Sequence, residues 1–576
     1  MEQQRLFLIL LLGFISFMLY QNWQTDHAPK PVAPITQSDK GGLPGSSEQL
    51  PPSSDAEMPV PTGQSQSVQA QAVPQVQAVP RMSADGKIIT VETDVYKIRI
   101  NTQGGDIEEV DLLKYPVSIE QPGVPFQMMA RSGPRHFTAQ NGFHVTGKTA
   151  VDNTPSRQSV YQTAKNDYRL SDGDKNLDVV LSWKNTAGVE FIIRYRFTAN
   201  SYDIDVTHEI VNKSNQPWTG HSYVRLERTP PAKAGGLAMM PTYTGAVYYS
   251  PDKKYDKVDF GEIDDSRNNN QGFFDAINRE FAGGWIAFIE HYFVAAFIPP
   301  KDDVYRYFTH KPSASGNRYW IGLMSVEKKV APNETASTQL QLYAGPKIQA
   351  KLEKIAPGLE LTVDYGWLTI LSKPIFWLMK QIHNFVGNWG WSIILLTLSI
   401  KLAFYKLSET SYKSMARMKK LGPRMKQISE RYADDRQRKG QAMMELYKKE
   451  KINPLGGCLP ILVQIPVFIA LYYVLLESVE LRQAPWILWI NDLSIKDPYF
   501  VLPIIMGASM LFQQKLNPTP MDPMQAKMMM FLPIVFTVMF LFFPSGLVLY
   551  WVVNNLLSIA QQWYITKIVI AEKKPT

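Results

Sequence analysis

The first half of the chain alternates apolar and polar residues in short runs. Clear examples are the segments 177–183, 189–197 and 202–211, and turn residues separate such runs from one another. Many short strands divided by turns are typical of an all-β sandwich, so we predict a β-sandwich domain over 86–345. The chain has a single cysteine, so an intrachain disulfide is excluded and the domain must be held by its own core.

One apolar run inside this domain is long enough to resemble a membrane span. It covers 281–300, yet Glu290 and His291 lie at its centre. Ionisable residues are rare inside membrane spans. We therefore interpret the run as a pair of core strands.

From residue 348 onward the apolar residues follow a helical period. An amphipathic helix is predicted within 346–387, the segment that links the two halves of the chain. Its apolar positions are Trp367, Leu371, Ile375, Leu378, Ile382 and Phe385. Such a helix suits a membrane interface, but a helix packed on the soluble domain has the same pattern, so both interpretations stay open.

Long apolar stretches dominate the segment 388–570, which we predict to be a core of five membrane-spanning helices. The predicted spans are 388–405, 453–477, 498–514, 528–543 and 546–567. The last two belong to one uncharged stretch that is too long for a single span, and Pro544, Ser545 and Gly546 divide it.

An uncharged run near the N-terminus brings the number of predicted spans to six. It lies within 1–25 and ends without the small residues of a signal-peptide cleavage site, so we interpret it as a retained anchor. The next segment, 26–85, is rich in Pro, Gln, Ser and Ala and lacks aromatic residues, which predicts a disordered linker. Residues 571–576 form a short tail.

The distribution of charge predicts the orientation of the chain. Lys and Arg number 60 against 52 Asp and Glu, and much of the net charge of +8 lies in the loop 406–452. Basic loops stay in the cytoplasm, so the β-sandwich is predicted to be periplasmic and both termini cytoplasmic. The chain is therefore predicted to be a multi-pass membrane protein.

The basic loop 406–452 also has helical periodicity. Its apolar residues recur on both sides of a turn predicted at 433–435, which indicates a helical hairpin. Its candidate binding residues are Arg417, Lys419, Lys420, Arg424, Arg431 and Arg436. The loop is interpreted as a topology signal that contacts anionic lipid, and a landing site for substrates, targeting factors or the ribosome is the functional alternative. We expect no binding to DNA.

Lys401 is an ionisable residue inside a predicted span, where it costs roughly 3 kcal/mol to insert. It either lines a water-filled cavity or extends its ammonium group to the cytoplasmic interface, and both interpretations stay open. Thr397 lies one turn earlier on the same helical face.

The last span carries a stripe of polar residues. Tyr550, Asn554, Ser558 and Gln561 follow one another at spacings of four, four and three. Gln464 is a similar candidate in the span 453–477. Such a face must meet protein or water in a membrane, so the stripe bonds neighbouring helices, lines a groove, or does both.

Enzymatic chemistry is not indicated by the motifs of the chain. The HExxH, GxSxG and CxxC patterns are absent, and the eight histidines are scattered. We therefore expect no enzymatic activity, no cofactor or nucleotide, and no metal.

Four strings in the second half of the chain are specific enough to suggest a family. They are NWGWS at 388–392, NPLGGC at 453–458, VELRQAP at 479–485 and FPSGLVLY at 543–550. With the preceding anchor and linker, they resemble the YidC/Oxa/Alb family of membrane-protein insertases in its Gram-negative form. The resemblance implies five core helices around a polar groove and a periplasmic β-supersandwich. It also implies insertion of newly made membrane proteins, alone or with the Sec translocon.

The resemblance also suggests roles for single residues. The family has a functional positive charge at the position of Lys401, usually as Arg; Lys keeps the charge but lacks the planar guanidinium group. In the implied mechanism, a hydrated cationic groove attracts a polar segment of the substrate while its apolar helix slides along two of the spans. The candidate sliding contacts are Ile465, Pro466, Phe468, Leu471, Thr537 and Leu541.

Two other functions compete with insertion. A polytopic transporter or channel built around Lys401 is the main alternative, although the internal repeat common in transporters is not visible in the C-terminal region. An anchored periplasmic carbohydrate-binding protein is the second, although such a protein has no need of five further spans.

Overall fold

A computed structural model describes most of the chain. The described residues are 86–132, 135–145, 154–231, 242–268, 277–312, 317–432, 435–450, 459–516 and 523–569. The predicted anchor 1–25, linker 26–85 and tail 571–576 lie outside them. The described part of the β-sandwich begins at residue 86.

The first half folds into two large, mainly antiparallel sheets. The strands of the eleven-stranded sheet are β1 (Ile88–Glu92), β2 (Tyr96–Asn101), β3 (Ile107–Pro116), β4 (Pro125–Met129), β5 (Phe137–Val145), β7 (Asp167–Arg169), β11 (Trp218–Arg228), β14 (Asn278–Ala282), β17 (Val304–His310), β18 (Tyr319–Ser325) and β19 (Lys328–Val330). The strands of the nine-stranded sheet are β6 (Gln162–Thr163), β8 (Asn176–Lys184), β9 (Val189–Thr198), β10 (Asp203–Asn212), β12 (Gly245–Ser250), β13 (Lys254–Val258), β15 (Trp285–Ile289), β16 (Phe293–Ile298) and β20 (Thr335–Pro346).

The core lies between the two sheets, and the alternating sequence pattern explains which residues enter it. In β9, Phe191, Ile193 and Tyr195 are buried while the residues between them reach the surface. Side chains of a strand point to opposite faces in turn, so one face of the strand packs and the other is solvated. The predicted all-β sandwich is thereby confirmed.

The apolar run 281–300 forms strands β15 and β16, which pair with each other, as predicted. Every residue of both strands is buried, which explains why the run lacks alternation. Glu290 lies in the turn between them and forms an ion pair with Arg228 over 3.0 Å. Its charge is therefore neutralised inside the domain.

The second half is helical. A short helix α1 (Phe260–Asn268) precedes it inside the β domain. The later helices are α2 (Gln349–Ile355), α3 (Thr369–Val386), α4 (Trp389–Ala403), α5 (Tyr405–Lys420), α6 (Gly422–Arg431), α7 (Arg436–Lys449), α8 (Leu459–Glu477), α9 (Val501–Leu516), α10 (Pro523–Phe540) and α11 (Ser545–Tyr564). Compared with the spans predicted above, α10 begins at Pro523 rather than 528.

Local chemistry explains how α3 and α4 are separated. Gly387 ends α3 in the left-handed conformation, with φ of 68°. The Asn388 side chain then accepts a hydrogen bond of 3.1 Å from the backbone N–H of Trp391 and so caps α4. The string that contributes to the family resemblance is therefore a helix boundary.

None of the single helices in the described segments is both long and apolar enough to be identified as a membrane span. Helices α4 and α5 reach the required length and hydropathy only together, and they are bent by 68° where they meet. Shorter apolar helices are Leu462–Glu477, Val501–Leu516 and Met529–Phe540. The six spans stay a prediction.

Helix α3 is amphipathic, but its faces differ from the predicted stripe. Phe376 and Met379 are buried, and Ser372 donates a hydrogen bond of 3.2 Å to the backbone of α8. Trp377 and Phe385 lie on the outer face and are 62% and 92% exposed. The predicted apolar stripe also includes Ile375, Leu378 and Ile382. These three residues are half-buried, because α3 also packs against α4.

The basic loop forms three helices rather than the two that were predicted. Helices α5 and α6 meet at Leu421, where Gly422 and Pro423 follow and interrupt the regular hydrogen bonding. Leu421 and Met425 pack against Met443 and other residues of α7, so α6 and α7 fold back on each other.

Candidate functional site: a polar cavity around Lys401

Lys401 lies in the last turn of α4 and points toward two other helices. Its ammonium group donates a hydrogen bond of 2.8 Å to the hydroxyl of Ser558 in α11 and lies 3.5 Å from the amide oxygen of Gln464 in α8. No Asp or Glu in the described segments forms an ion pair with it. The cation is therefore held by neutral groups between helices.

The polar residues predicted on α8 and α11 continue this network. The Gln464 side-chain NH₂ donates to Asn554 and lies 3.4 Å from the hydroxyl of Tyr550. Ser558 in turn donates a hydrogen bond of 2.6 Å to the backbone carbonyl of Asn554. Residues from two other helices, α8 and α11, are thus connected to Lys401 through hydrogen bonds.

These side chains line one cavity of about 330 Å³. Its polar lining includes Lys401, Gln464, Tyr550, Asn554 and Ser558, all predicted from the sequence. Its apolar lining includes Ile465, Phe468, Met510, Leu532, Pro533 and Trp551. A cavity with a cation at one side and apolar walls elsewhere can hold water and a polar group beside a hydrophobic segment.

Two predicted polar residues do not line the cavity. Thr397 is buried and donates a hydrogen bond of 2.6 Å to the carbonyl of Ile393 in its own helix. The amide nitrogen of Gln561 is buried without a partner in the described segments, outside the cavity lining. Helical spacing alone did not separate these two residues from the others because it gives the face and not the depth.

The six predicted sliding contacts also divide into residues that line the cavity and residues that do not. Ile465 and Phe468 line the cavity, and Pro466 and Leu541 are half-buried. Leu471 is fully buried in the helical core, and Thr537 is half-buried, donating to Pro533 within α10 while its side chain lies close to Gly507. The expectation that Leu471 is open to a passing helix is therefore wrong, because neighbouring helices cover it.

Sequence reasoning missed the contribution of α5. Because α5 is bent away from α4 immediately after Lys401, it crosses the cavity, and Ser408, Ser411, Tyr412 and Met415 join the lining. These positions follow one another at spacings of three, one and three, which places them on one helical face. This spacing could have indicated a helical face at the cavity, but the sequence analysis assigns the whole segment to a separate hairpin.

The basic residues predicted on the hairpin lie on α5, α6 and α7, outside the cavity. Arg417, Lys419, Lys420 and Arg431 are exposed. Arg424 is exposed and forms an ion pair of 2.7 Å with Glu450, and Arg436 is the first residue of α7. The exposed charges therefore lie on a surface rather than in a pocket.

One motif runs against the expectation that the chain has no nucleotide site. The string GFHVTGKT at 142–149 matches the phosphate-binding pattern GxxxxGK[ST]. However, 142–145 belong to strand β5 and pair with β11, whereas a phosphate-binding loop begins after its strand. The first glycine therefore lies within a sheet rather than in a loop that follows a strand, and residues 146–149 lie outside the described segments.

The comparisons with known proteins agree with this architecture. The family model of the YidC periplasmic domain matches residues 88–378, and that of the 60Kd inner membrane protein matches 381–573. A relative from Nitrosococcus oceani named Membrane protein insertase YidC is 47% identical, with 98% of this chain and 99% of the relative covered. The chain belongs to the YidC family of membrane protein insertases. It is accordingly an inner-membrane protein.

Further members of the YidC family are similar over the same length. Those from Methylococcus capsulatus and Pseudomonas aeruginosa are 48% and 44% identical, with 95% and 100% of each chain covered. A crystal structure of an active YidC insertase with its first transmembrane domain resolved is 18% identical over 84% of this chain, with 96% of that chain covered and a TM-score of 0.37.

A galactose mutarotase related enzyme from Lactobacillus acidophilus aligns with 45% of this chain, with 97% of its own length covered. It is 12% identical, with a TM-score of 0.30. Neither of these two superpositions is close enough to specify a fold, so membership in the YidC family rests on the sequence matches.

Among the described residues, no group of three or more His, Cys, Asp or Glu side chains has the arrangement of a metal site. The chemistry of the cavity is therefore that of one cation, several neutral hydrogen-bonding groups and an apolar wall.

Proposed function

We propose that this protein inserts newly made membrane proteins into the bacterial inner membrane through the cavity around Lys401. The observation that carries the proposal is the bond of 2.8 Å from the ammonium group of Lys401 to the neutral hydroxyl of Ser558, in a cavity whose lining among the described residues includes no carboxylate. Family membership supports the same function.

The cation would act by attracting the polar, often acidic, segment that precedes or follows a substrate's apolar helix. Such a segment crosses lipid only at high cost, and a hydrated positive group part-way across shortens the apolar path. The apolar helix would meanwhile contact Ile465 and Phe468 and pass into lipid. Hydrophobic partitioning and the membrane potential supply the drive, so we expect neither enzymatic turnover nor a cofactor.

Short helices around the cavity would assist insertion. Helix α9 has 16 residues, or about 24 Å, against a hydrocarbon core of about 30 Å. A short hydrophobic helix is accommodated by local thinning of the bilayer. Thinning beside the cavity would shorten the substrate's path further.

The proposed arrangement in the membrane has six spans, a periplasmic β domain and cytoplasmic termini. The exposed cations of α5 and α6 support a cytoplasmic position for these helices by the positive-inside rule. The partners we propose are nascent membrane proteins, the Sec translocon, anionic lipids, and the ribosome or targeting factors at the basic helices.

Complementation of a cell depleted of its own insertase tests the proposal. Insertion of a small client is measured by protease accessibility in cells that make the wild type, Lys401→Ala, Lys401→Arg or Lys406→Ala. Lys406 is a matched control because it is the next lysine along the chain and its side chain is 91% exposed. We expect Lys401→Ala alone to lose insertion.

Three results would speak against parts of the proposal. If Lys401→Ala inserts the client normally, the cavity cation is not needed. If Lys406→Ala fails equally, positive charge in general is needed rather than the cavity. If the wild type fails despite stable expression, a transporter or channel function gains support, and a solute flux assay decides it.

A further inference from the structure

A second cavity lies where the β domain meets the loop after α8. Its volume is about 410 Å³. One wall is formed by Lys114, Tyr115 and Tyr202 of the β domain and by Lys351 of α2; the other includes Glu480 and Arg482, which follow the end of α8. The cavity is therefore built by both halves of the chain.

The negative side of this cavity is Glu480. One of its carboxylate oxygens is buried and has no hydrogen-bond partner in the segments that the structure describes. Burial raises the pKa of this carboxyl group, and the charge of Lys380 on α3 acts in the opposite direction. A buried carboxylate oxygen without a donor is costly, so a ligand that donates a hydrogen bond there gains affinity.

The positive side consists of three cations. The ammonium group of Lys351 lies 5.6 Å from the ring centroid of Tyr202 and forms no ion pair in the described segments. That of Lys114 donates to Asp94 over 3.3 Å and to Asn200 over 3.1 Å, and its side chain stays half exposed. Each of these ammonium groups has three N–H donors, so donors remain for a ligand.

Arg482 is fixed in place and has donors to spare. One terminal nitrogen of its guanidinium group donates to the carbonyls of Pro116 and Val117 over 2.6 and 3.1 Å. The group also lies 5.9 and 5.8 Å from the ring centroids of Phe126 and Phe293. A guanidinium group has five N–H donors, and the remaining ones match the geometry of a phosphate.

The two sides differ in sign, which restricts the ligand. A simple anion would satisfy the cations and leave Glu480 unpaired, whereas a simple cation would do the reverse. We infer that this cavity binds a phosphate ester that carries a primary ammonium group, with the phosphate at Lys351, Lys114 and Arg482 and the ammonium group at Glu480. Phosphoethanolamine is the smallest common group with this chemistry.

Two sources provide that group, a phospholipid headgroup and a soluble phosphate ester. The headgroup is favoured by the position of the cavity, because Lys380, whose charge reaches Glu480, lies on α3. The outer face of α3 exposes Trp377 and Phe385, which suits a helix in the plane of the headgroups.

Lipid binding to the purified, delipidated full-length protein tests this inference. Dissociation constants for phosphatidylethanolamine and phosphatidylglycerol are measured in detergent by native mass spectrometry. Both lipids have the phosphate, but only the first has the ammonium group, so we expect the wild type to bind phosphatidylethanolamine about tenfold more tightly. Free phosphoethanolamine is titrated in parallel to distinguish the two sources.

Two substitutions separate the two sides of the cavity. Glu480→Gln should remove the preference for phosphatidylethanolamine and leave phosphatidylglycerol binding almost unchanged. Lys351→Gln should weaken the binding of both lipids by a similar factor, and because Lys351 is exposed we expect the variant to fold as the wild type does. Glu353→Gln and Lys354→Gln are matched controls, because both residues are exposed on α2 outside the cavity.

Equal binding of the two lipids by the wild type would overturn the inference, as would an unchanged preference in Glu480→Gln. Saturable binding of free phosphoethanolamine with the same dependence on Glu480 would assign the site to a soluble ester instead of a lipid. These measurements use purified protein and no client, so their outcome is separate from that of the insertion assay.

Discussion

The β domain and the helical region treat buried charge in opposite ways. In the β domain, Glu227 accepts hydrogen bonds from Arg318 over 3.0 Å and from Trp320 over 2.6 Å, and it pairs with His136 over 2.8 Å. Burial by itself raises the pKa of Glu227, but His136, Arg225 and Arg318 hold it well below its usual range. In the described part of the helical region, the partners of Lys401 are all neutral.

This difference distinguishes buried charges that stabilise the fold from buried charges that can still attract a partner. A charge that is paired on several sides is neutralised and fixes the local fold. A charge whose partners are a hydroxyl and an amide keeps its field and attracts an opposite charge that arrives later. We therefore regard the paired residues of the sandwich as structural and Lys401 as functional.

The largest effect should come from breaking the buried ion pair at the junction of the two regions. Lys347 and Glu477 lie 3.1 Å apart with side chains 1% and 4% exposed. Lys347→Met leaves Glu477 unpaired, so we expect the free energy of unfolding to fall by about 3–5 kcal/mol. Thermal unfolding of the full chain measures the loss.

The exposed pair of Arg424 and Glu450 provides the control for this prediction. Arg424→Ala should cost less than about 1 kcal/mol, because water and salt screen exposed charges. Equal losses in the two variants would mean that burial does not distinguish the pairs.

Acid should be the next largest perturbation, and it should act on the β domain. Burial lowers the pKa of His291 to about 4, assisted by the charges of Lys347 and Arg482, while a hydrogen bond of 2.7 Å to the carbonyl of Leu476 opposes the shift. The unfolded chain protonates this histidine near pH 6.5, so its contribution is complete above pH 6.5 and is lost as pH falls toward 4.

The expected loss from this one group is about 3 kcal/mol across that window. His291→Gln keeps a donor for the carbonyl but does not titrate, so the difference in unfolding free energy between wild type and variant should shrink as pH falls from 6.5 to 4. A difference that is constant with pH would show that folding does not change the pKa of His291.

The smallest effect is expected from giving Lys401 a carboxylate partner, the kind of partner that buried cations have in the β domain. Ser558→Asp places a carboxylate beside the ammonium group and neutralises its field. We expect client insertion to slow about tenfold, equivalent to about 1.4 kcal/mol, with unchanged or higher thermal stability. Ser558→Asn is the isosteric neutral control, and equal rates for the two variants would contradict the role of the charge.

The sequence predicted those features that repeat along the chain. Alternation identified the strands of the sandwich, and a four-residue spacing placed Asn554 and Ser558 on the face that meets Lys401. Depth was not predictable from spacing, which is why Leu471 was assigned to an open face that other helices cover. Contacts between distant segments, such as that of Lys347 with Glu477, leave no periodic signal in one sequence.

The hairpin was the least predictable part of the site. The sequence predicts a separate helical hairpin here, and the 68° bend after α4 instead brings Tyr412 into the cavity lining. A bend of this kind depends on packing rather than on a proline or glycine at the joint, because Phe404 occupies it.

The bend also makes α5 a lever. Its 16 residues extend for about 24 Å from a fulcrum at Phe404, three positions after Lys401. A rotation at this joint would move the far end of α5 about twice as far as Tyr412, which lies half-way along the helix. Tyr412 and Met415 line the cavity part-way along this helix, so a displacement of its basic end would also displace part of the cavity lining.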